Sequence, residues 1–204
     1  AAVTTTKYFM PRLLGPFCAQ YPGIDIALEV VNRDRLLERL ARNQDDLYVM
    51  GVPPEGLDIE REPFMDNPLV VLAPASHPLA RRKRIRFPEL ANEPFIVRER
   101  GSGTRLTIER AFQERNVPLK IRVELGSNEA IKQAVAGGLG LALLSQSTLS
   151  HDPSQSEVSI LNVEGFPIKR SWYVVRPRDK QPSVVANAFL EFLRTHVQLL
   201  TPRS

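Results

Sequence analysis

Three places in this 204-residue chain carry hydroxyl or amide side chains where a strand gives way to a helix: Thr4-Thr5-Thr6, Gly101-Ser102-Gly103-Thr104 and Ser127-Asn128. The chemistry open to them is anion capture. A helix start offers backbone N–H donors and a partial positive charge, glycines let the backbone come close, and hydroxyls add neutral hydrogen bonds that need no metal. Arg105 follows the second stretch at once, and Arg98 and Arg100 lie just upstream. At any single junction the plainer reading is that Ser or Thr caps its own helix. Three such junctions in one chain favour a shared anionic ligand.

Bond-making chemistry is poorly provided for. His77 precedes a proline in a turn, His151 lies in a polar loop and His196 stands near the end of the last helix, so the three share no metal-ligand or nucleophile-base spacing. No GxSxG, HExxH, Walker A or GxGxxG pattern occurs, and Asp45-Asp46, Glu60 and Glu62 read as solvated or strand-facing carboxylates. The expectation is a binding module that holds no metal or cofactor and is not an enzyme.

Composition agrees with a folded module. Hydrophobic residues make up 43% and charged residues 25%, enough to bury a core and too balanced for a disordered tail. The longest apolar runs, PLVVLAPA at 68–75 and GGLGLALL at 137–144, fall well short of a bilayer span. Net charge is +4, but Arg81, Arg82, Lys83, Arg84 and Arg86 form one run, and without them the chain carries −1. That run reads as a solvated loop, with a phosphate-contacting patch as the alternative. The single cysteine, Cys18, excludes a disulfide framework and reads as a small core residue of a reducing compartment, the cytoplasm. The start, AAVTTTKYFM, lacks an initiator methionine and reads as cut from a longer protein.

The elements that must position these residues follow from periodicity. A helix carries Leu13, Leu14, Phe17, Cys18 and Tyr21, with Pro16 expected to kink it. IDIALEVV at 24–31 alternates as a strand, Asn32 caps a helix with Leu36, Leu37 and Leu40 on one face, Asn43 closes it in a left-handed conformation, and LYVM at 47–50 is a strand. After strand-like pieces at 59–73 the alternation repeats: strand FIVR, helix 104–115 burying Leu106, Ile108 and Phe112, strand IRVEL, helix 130–136 with Ile131 and Val135 inward, strand LALL. Residues 150–165 read as polar loop, KRSWYVVR as a strand and 183–200 as an amphipathic helix with Val184, Ala188, Phe192 and Val197 among its apolar positions. Two β-α-β-α-β passages joined by strands predict an α/β protein of two Rossmann-like, parallel-sheet lobes, with the ligand at the strand carboxyl ends between them.

In order and spacing, the segments TTTKYFMPRLLGPFCAQYPGIDIALE, NRDRLLERLARNQDDLYVMG, HPLA, ELANEPFIVRERGSGTR and SNEAIKQAVAGGLGLALLS resemble the effector-binding domain of LysR-type transcriptional regulators. The resemblance covers essentially the whole chain. It implies lobes of periplasmic-binding-protein type joined by crossover strands, residues 1–73 with 176–204 forming lobe I and 74–175 lobe II, and a winged helix-turn-helix domain N-terminal to this chain. VNR and DDLYVMGVPP look more narrowly like regulators of carbon fixation and inorganic-carbon uptake in autotrophic bacteria, although siblings often carry arginine where Val52 stands. Effectors implied by that likeness are phosphorylated metabolites, ribulose bisphosphate or phosphoglycolate, sometimes NADPH.

Family ligand positions fall on Thr5, Thr6, Ser102, Thr104, Arg105, Ser127 and Asn128, with Gly51 and Gly138 lining the cleft. Arg33 is added from the VNR segment, and Arg98 and Gly103 from the residues around the second junction. The resemblance also implies a homodimer through the effector domains, a homotetramer of the whole regulator, DNA contact through the N-terminal domain, RNA polymerase as a further partner, and no membrane. The competing reading is an extracytoplasmic solute-binding protein for a small anion, which would need an export signal upstream.

Overall fold

A computed structural model describes residues 2–4, 9–149 and 157–197. The chain divides into two compact units, Ala1–Asp66 with Ser171–Ser204, and Asn67–Arg170. The expected boundaries near 73 and 175 move to 66 and 170, because the strand Leu69–Pro74 (β5) pairs inside the second unit and the strand Ser171–Pro177 (β10) inside the first.

In the first unit, β1 (Ala2–Thr4), β2 (Leu28–Val30) and β3 (Leu47–Met50) run parallel, and β10 and β4 (Ile59–Asp66) extend the sheet antiparallel in the order β2-β1-β3-β10-β4. Alternation along β3 splits the core. Leu47 and Val49 join Leu13 and Phe17 of α1 (Met10–Gln20) and Phe189 and Phe192 of α5 (Val184–His196). Tyr48 and Met50 join Leu36 and Leu40 of α2 (Arg33–Ala41) on the opposite face. Asn32 caps α2 by accepting from Arg35 N at 3.0 Å, and Asn43 sits at φ 52°, both as the sequence predicts.

The second unit repeats the plan. β6 (Pro94–Arg98), β7 (Lys120–Leu125) and β8 (Leu141–Ser145) are parallel, β5 runs antiparallel to β8, and β9 (Val158–Ile160) antiparallel to β5, in the order β7-β6-β8-β5-β9. Leu141 and Leu143 of β8 face Ile108 and Phe112 of α3 (Gly103–Glu114), whereas Ala142 and Leu144 face Ile131 and Val135 of α4 (Asn128–Ala136). The sheets are thus mixed, not purely parallel, and β9 occupies part of the segment expected to be loop.

Four local expectations are corrected. Only Leu28–Val30 of 24–31 is strand, because β2 pairs with β1 alone and β1 is three residues long; Ile24 and Ile26 still pack on the core. α1 continues through Pro16, where the carbonyl deprived of its donor belongs to Arg12; both residues are exposed, so water can serve it. Cys18 is only half-buried, outside the core clusters. Val184 at the start of α5 is 86% exposed, its place inward taken by Ala186, Phe189 and Leu190.

Candidate functional site

The carboxyl edge of the second unit's parallel strands gathers the candidate residues. The register pairs Arg98 of β6 with Leu125 of β7, so the turns leading into α3 and α4 leave the sheet side by side. Gly101 makes the first turn possible at φ 84°, a conformation that suits a residue without Cβ. Ser102, 5% exposed, caps α3 by accepting from Thr104 N at 3.3 Å. Ser127 caps α4 by accepting from Ala130 N at 3.1 Å. The plain capping reading therefore holds at both junctions, but a cap employs only an acceptor lone pair, and each hydroxyl still owns an O–H donor.

Arg98 ties the two helix starts together. Its Nη1 donates to Asn128 Oδ1 at 2.6 Å, while Nε and Nη2 hold both oxygens of Glu99 at 2.7 and 2.9 Å. Gly103 opens α3 and its carbonyl accepts from Thr107 Oγ1 at 2.8 Å; Thr104 beside it is half-buried.

Arg105 has a different position from that expected of a ligand's charged partner. It is 9% exposed, its Nε donates to Glu109 at 2.6 Å, and its Nη1 donates to Glu124 at 2.6 Å and to the Arg98 carbonyl at 3.1 Å. Burial alone would lower its pKa, but the bonds to Glu109 and Glu124 outweigh burial and leave it raised; Arg105 in turn holds the Glu124 carboxyl below its ordinary value. The guanidinium thus braces α3 against β6 and β7. The Glu109 half of this brace was readable as an i, i+4 pair; the Glu124 half was not.

Gly138 is separated from the group. It follows the C-terminus of α4 at φ 77°, whereas Ser127 precedes the N-terminus, and nine helical residues put about 13 Å between the ends. In the first unit, Gly51 follows the carboxyl end of β3, and Arg33, first residue of α2, donates from Nε to the Val52 carbonyl at 2.9 Å. Thr5 and Thr6 lie outside the described residues. The first junction is not a hydroxyl-capped helix start, since α1 begins at Met10 with Phe9 in the cap position and no side-chain cap bond.

One polar group on the second unit's edge was missed. Asn67, fully buried before β5, satisfies both neighbours in one amide orientation: its nitrogen donates to Ser145 Oγ at 2.6 Å and its oxygen accepts from Arg170 Nε at 3.1 Å and Nη2 at 2.9 Å. Ser145 Oγ also lies 2.8 Å from Ser147 Oγ, and Thr148 Oγ1 donates to the Ser145 carbonyl at 2.7 Å. Burial pushes the Arg170 pKa down to about 10. These partners lie up to 103 positions apart, so no local pattern announces them.

The remaining chemistry-bearing residues have local roles. His77 caps a 3-10 turn by accepting from Leu79 N at 3.2 Å, and His196 stacks on Phe192 with centroids 3.9 Å apart; His151 is outside the described residues. In the basic run, Arg82 and Arg86 pair with Glu89, and Arg84 with Glu164 at 2.7 Å, on an exposed loop anchored by buried Ile85. A groove of about 750 Å³ in the first unit includes Glu60, Glu62, Arg176 and Arg194, which pair with one another, and none of the expected ligand residues. Among the described residues, no three His, Cys, Asp or Glu side chains are grouped to hold a metal, and no helix is long and apolar enough to cross a membrane.

A family model described as the LysR substrate binding domain matches residues 1–198. The chain belongs to that family. This LysR-family chain is 50% identical over 196 residues to the HTH-type transcriptional activator CmpR of Synechocystis sp., covering 96% of the chain and 64% of that protein. It is 52% identical over 193 residues to the RuBisCO operon transcriptional regulator of Acidithiobacillus ferrooxidans, covering 95% and 62%. The chain therefore spans less than two-thirds of the length of these relatives, which are regulators by name and not enzymes. The narrower likeness to carbon-fixation regulators agrees with them. Among solved structures, the Synechocystis CcmR regulatory domain in complex with 2-PG is 50% identical, with TM-score 0.91 over 95% of this chain and 94% of that one. The QuiR effector-binding domain, solved with shikimate, shares the fold at 20% identity and TM-score 0.83, covering 97% and 96%.

Proposed function

We propose that this chain is the sensing part of a longer transcriptional regulator and binds a small phosphorylated metabolite, 2-phosphoglycolate in the first instance, at the carboxyl edge of β6 and β7. The observation that carries this is the pairing of two serine-capped helix starts held level by Arg98 and Asn128. Hydroxyls and backbone N–H groups at that edge suit phosphate oxygens without a metal. The binding of 2-PG by the CcmR regulatory domain, half identical to this chain, supports the ligand class.

In this reading Ser102, Gly103, Thr104, Ser127 and Asn128 contact the effector, Arg98 holds the helix starts in place, and Arg105 supports them from behind. Thr5, Thr6, Arg33 and Gly51 are the first unit's own candidates for contact with an anion. The longer protein would carry a winged helix-turn-helix domain before residue 1, act in the cytoplasm as a homodimer or homotetramer on DNA, and respond to the effector by altered DNA binding or activation, with RNA polymerase as a further partner. Calorimetry with 2-phosphoglycolate, ribulose bisphosphate and NADPH tests it. Saturable binding of at least one is expected; binding of none would refute it.

A further inference from the structure

The basic run that begins at Arg81 takes no part in the effector site. It leads into β6, so it stands at the amino edge of the second unit's sheet, whereas Ser102 follows the carboxyl end; the five residues of β6 put about 16 Å between the two edges. The backbone of the run is held in place. Ile85 is fully buried and forms a parallel bridge with Val163; its N–H donates to the Asn162 carbonyl at 2.9 Å and its carbonyl accepts from Glu164 N at 2.9 Å. The Asn162 side chain donates to the Lys83 carbonyl, and the 3-10 turns Pro78–Arg81 and Phe87–Asn92 close the loop on either side. Little backbone freedom is therefore left to lose when a partner docks.

On this fixed backbone the cations face outward. The Arg84 and Arg86 side chains are 78% and 76% exposed, and Arg81 and Lys83 have no ion-pair partner among the described residues. Arg115, from the end of α3, lies over the Phe87 ring at 4.7 Å and adds a sixth cation beside the run. Glu89, Glu93 and Glu164 offset half of these six charges. The pairs that Glu89 and Glu164 make with Arg82, Arg84 and Arg86 are open to water, so a phosphate can replace either carboxylate. The apolar residues of the loop turn the other way: Ile85, Phe87 and Leu90 are buried, and Leu79 packs on the same core. What remains outside is charge without the apolar anchor that protein partners use. Phosphates need none, and four of the five side chains of the run are guanidinium forks that match phosphate oxygens.

We propose that the 81–86 loop is a contact surface for the phosphate backbone of duplex DNA, independent of base sequence and placed at the opposite edge of the second unit from the effector. The loop adds electrostatic hold on DNA that another part of the longer protein selects. The proposed function supplies the presence of DNA; the effector assignment is not used.

The test follows the fluorescence anisotropy of a labelled duplex of arbitrary sequence, titrated with the chain at several salt concentrations. Three neutralised phosphates give a slope of log affinity against log salt of about −2.7, an affinity loss of about 40-fold between 50 and 200 mM salt. The triple variant Arg81→Gln, Lys83→Gln, Arg84→Gln is expected to flatten the slope by about 2.7 and to bind 2-phosphoglycolate as wild type does. A control with the same loss of charge, Arg12→Gln, Arg42→Gln, Arg122→Gln, replaces exposed arginines outside the run and is expected to keep the wild-type slope. Absence of DNA binding by the wild type at low salt, or equal slopes in the two triple variants, overturns the loop as a DNA surface. Binding of a polyglutamate peptide with duplex DNA left unbound also overturns it, in favour of an acidic protein partner. Neither result touches the effector reading, which the 2-phosphoglycolate titration follows separately. Should the triple variant fail to melt as wild type does, Arg81→Gln, Lys83→Gln decides, with an expected flattening of about 1.8.

Discussion

Arg98 Nη1 lies 2.6 Å from Asn128 Oδ1, so the last residue of β6 holds the first residue of α4. Because Glu99 takes the other side of the same guanidinium, Arg98 is fixed at both ends and the helix starts cannot drift apart independently. Replacing Asn128 by Ala removes one bond to a charged donor. The expected loss in 2-phosphoglycolate affinity is about 1.5–3 kcal/mol, with a smaller change in stability because Asn128 is only half-buried. Calorimetry paired with thermal melts of the same samples checks both parts.

Ser102 serves as a cap, and its hydroxyl is also proposed to donate to the effector; the two roles separate by substitution. Glycine is tolerated at a helix N-cap at a cost of a few tenths of a kcal/mol, whereas alanine costs about 1 kcal/mol. Ser102→Gly should melt close to wild type and still lose about 0.5–1.5 kcal/mol in effector binding. Equal affinity of Ser102→Gly and wild type would restrict Ser102 to capping.

Arg105 is expected to matter more for folding than for affinity. Arg105→Ala removes a buried stem and its bonds to Glu109, Glu124 and the Arg98 carbonyl. The expected cost is about 1–2 kcal/mol of stability, kept modest by solvent screening of the half-exposed carboxylates. Urea denaturation would read it. An unchanged midpoint with lost effector binding would return Arg105 to the ligand.

Acid should weaken the fold through the same contact. The Glu124 carboxyl is held below its ordinary 4.5 first by Arg105 and then by the Arg100 N–H, and Glu62 is held below 4.5 by Arg194. A carboxyl whose folded value is depressed contributes stability that is present above the unfolded value and lost as pH falls through the folded one. The melting temperature should therefore drop as pH falls below about 4.5, and Arg105→Ala should flatten part of that drop. Parallel acid dependences in wild type and variant would contradict the Glu124 assignment.

How much was readable depended on how local each cause is. α2 could be delimited from Asn32 and Asn43, because capping and left-handed closure are decided within a few residues. The extent of β2 could not, since it is set by the three residues of β1 that pair with it. The hydrophobic run of β5 shows that it is a strand but not that it runs antiparallel to β8, and this moved the unit boundary. At the site, Ser102 and Ser127 were visible as hydroxyls at helix starts, and their nearness through Arg98 and Asn128 required the β6–β7 register. Arg105 could be read as charge beside a glycine-rich turn, but its bond to Glu124 could not, because that carboxylate stands on a neighbouring strand.

The most direct measurement is a nitrogen-resolved NMR titration of the chain with 2-phosphoglycolate, following backbone amides residue by residue. The expected result is saturable shifts at Ser102–Arg105 and Ser127–Glu129, with a matching response of the Arg98 side chain. Shifts confined to the groove around Glu60, Arg176 and Arg194, or none at saturating ligand, would contradict the assignment of the effector to the carboxyl edge of β6 and β7.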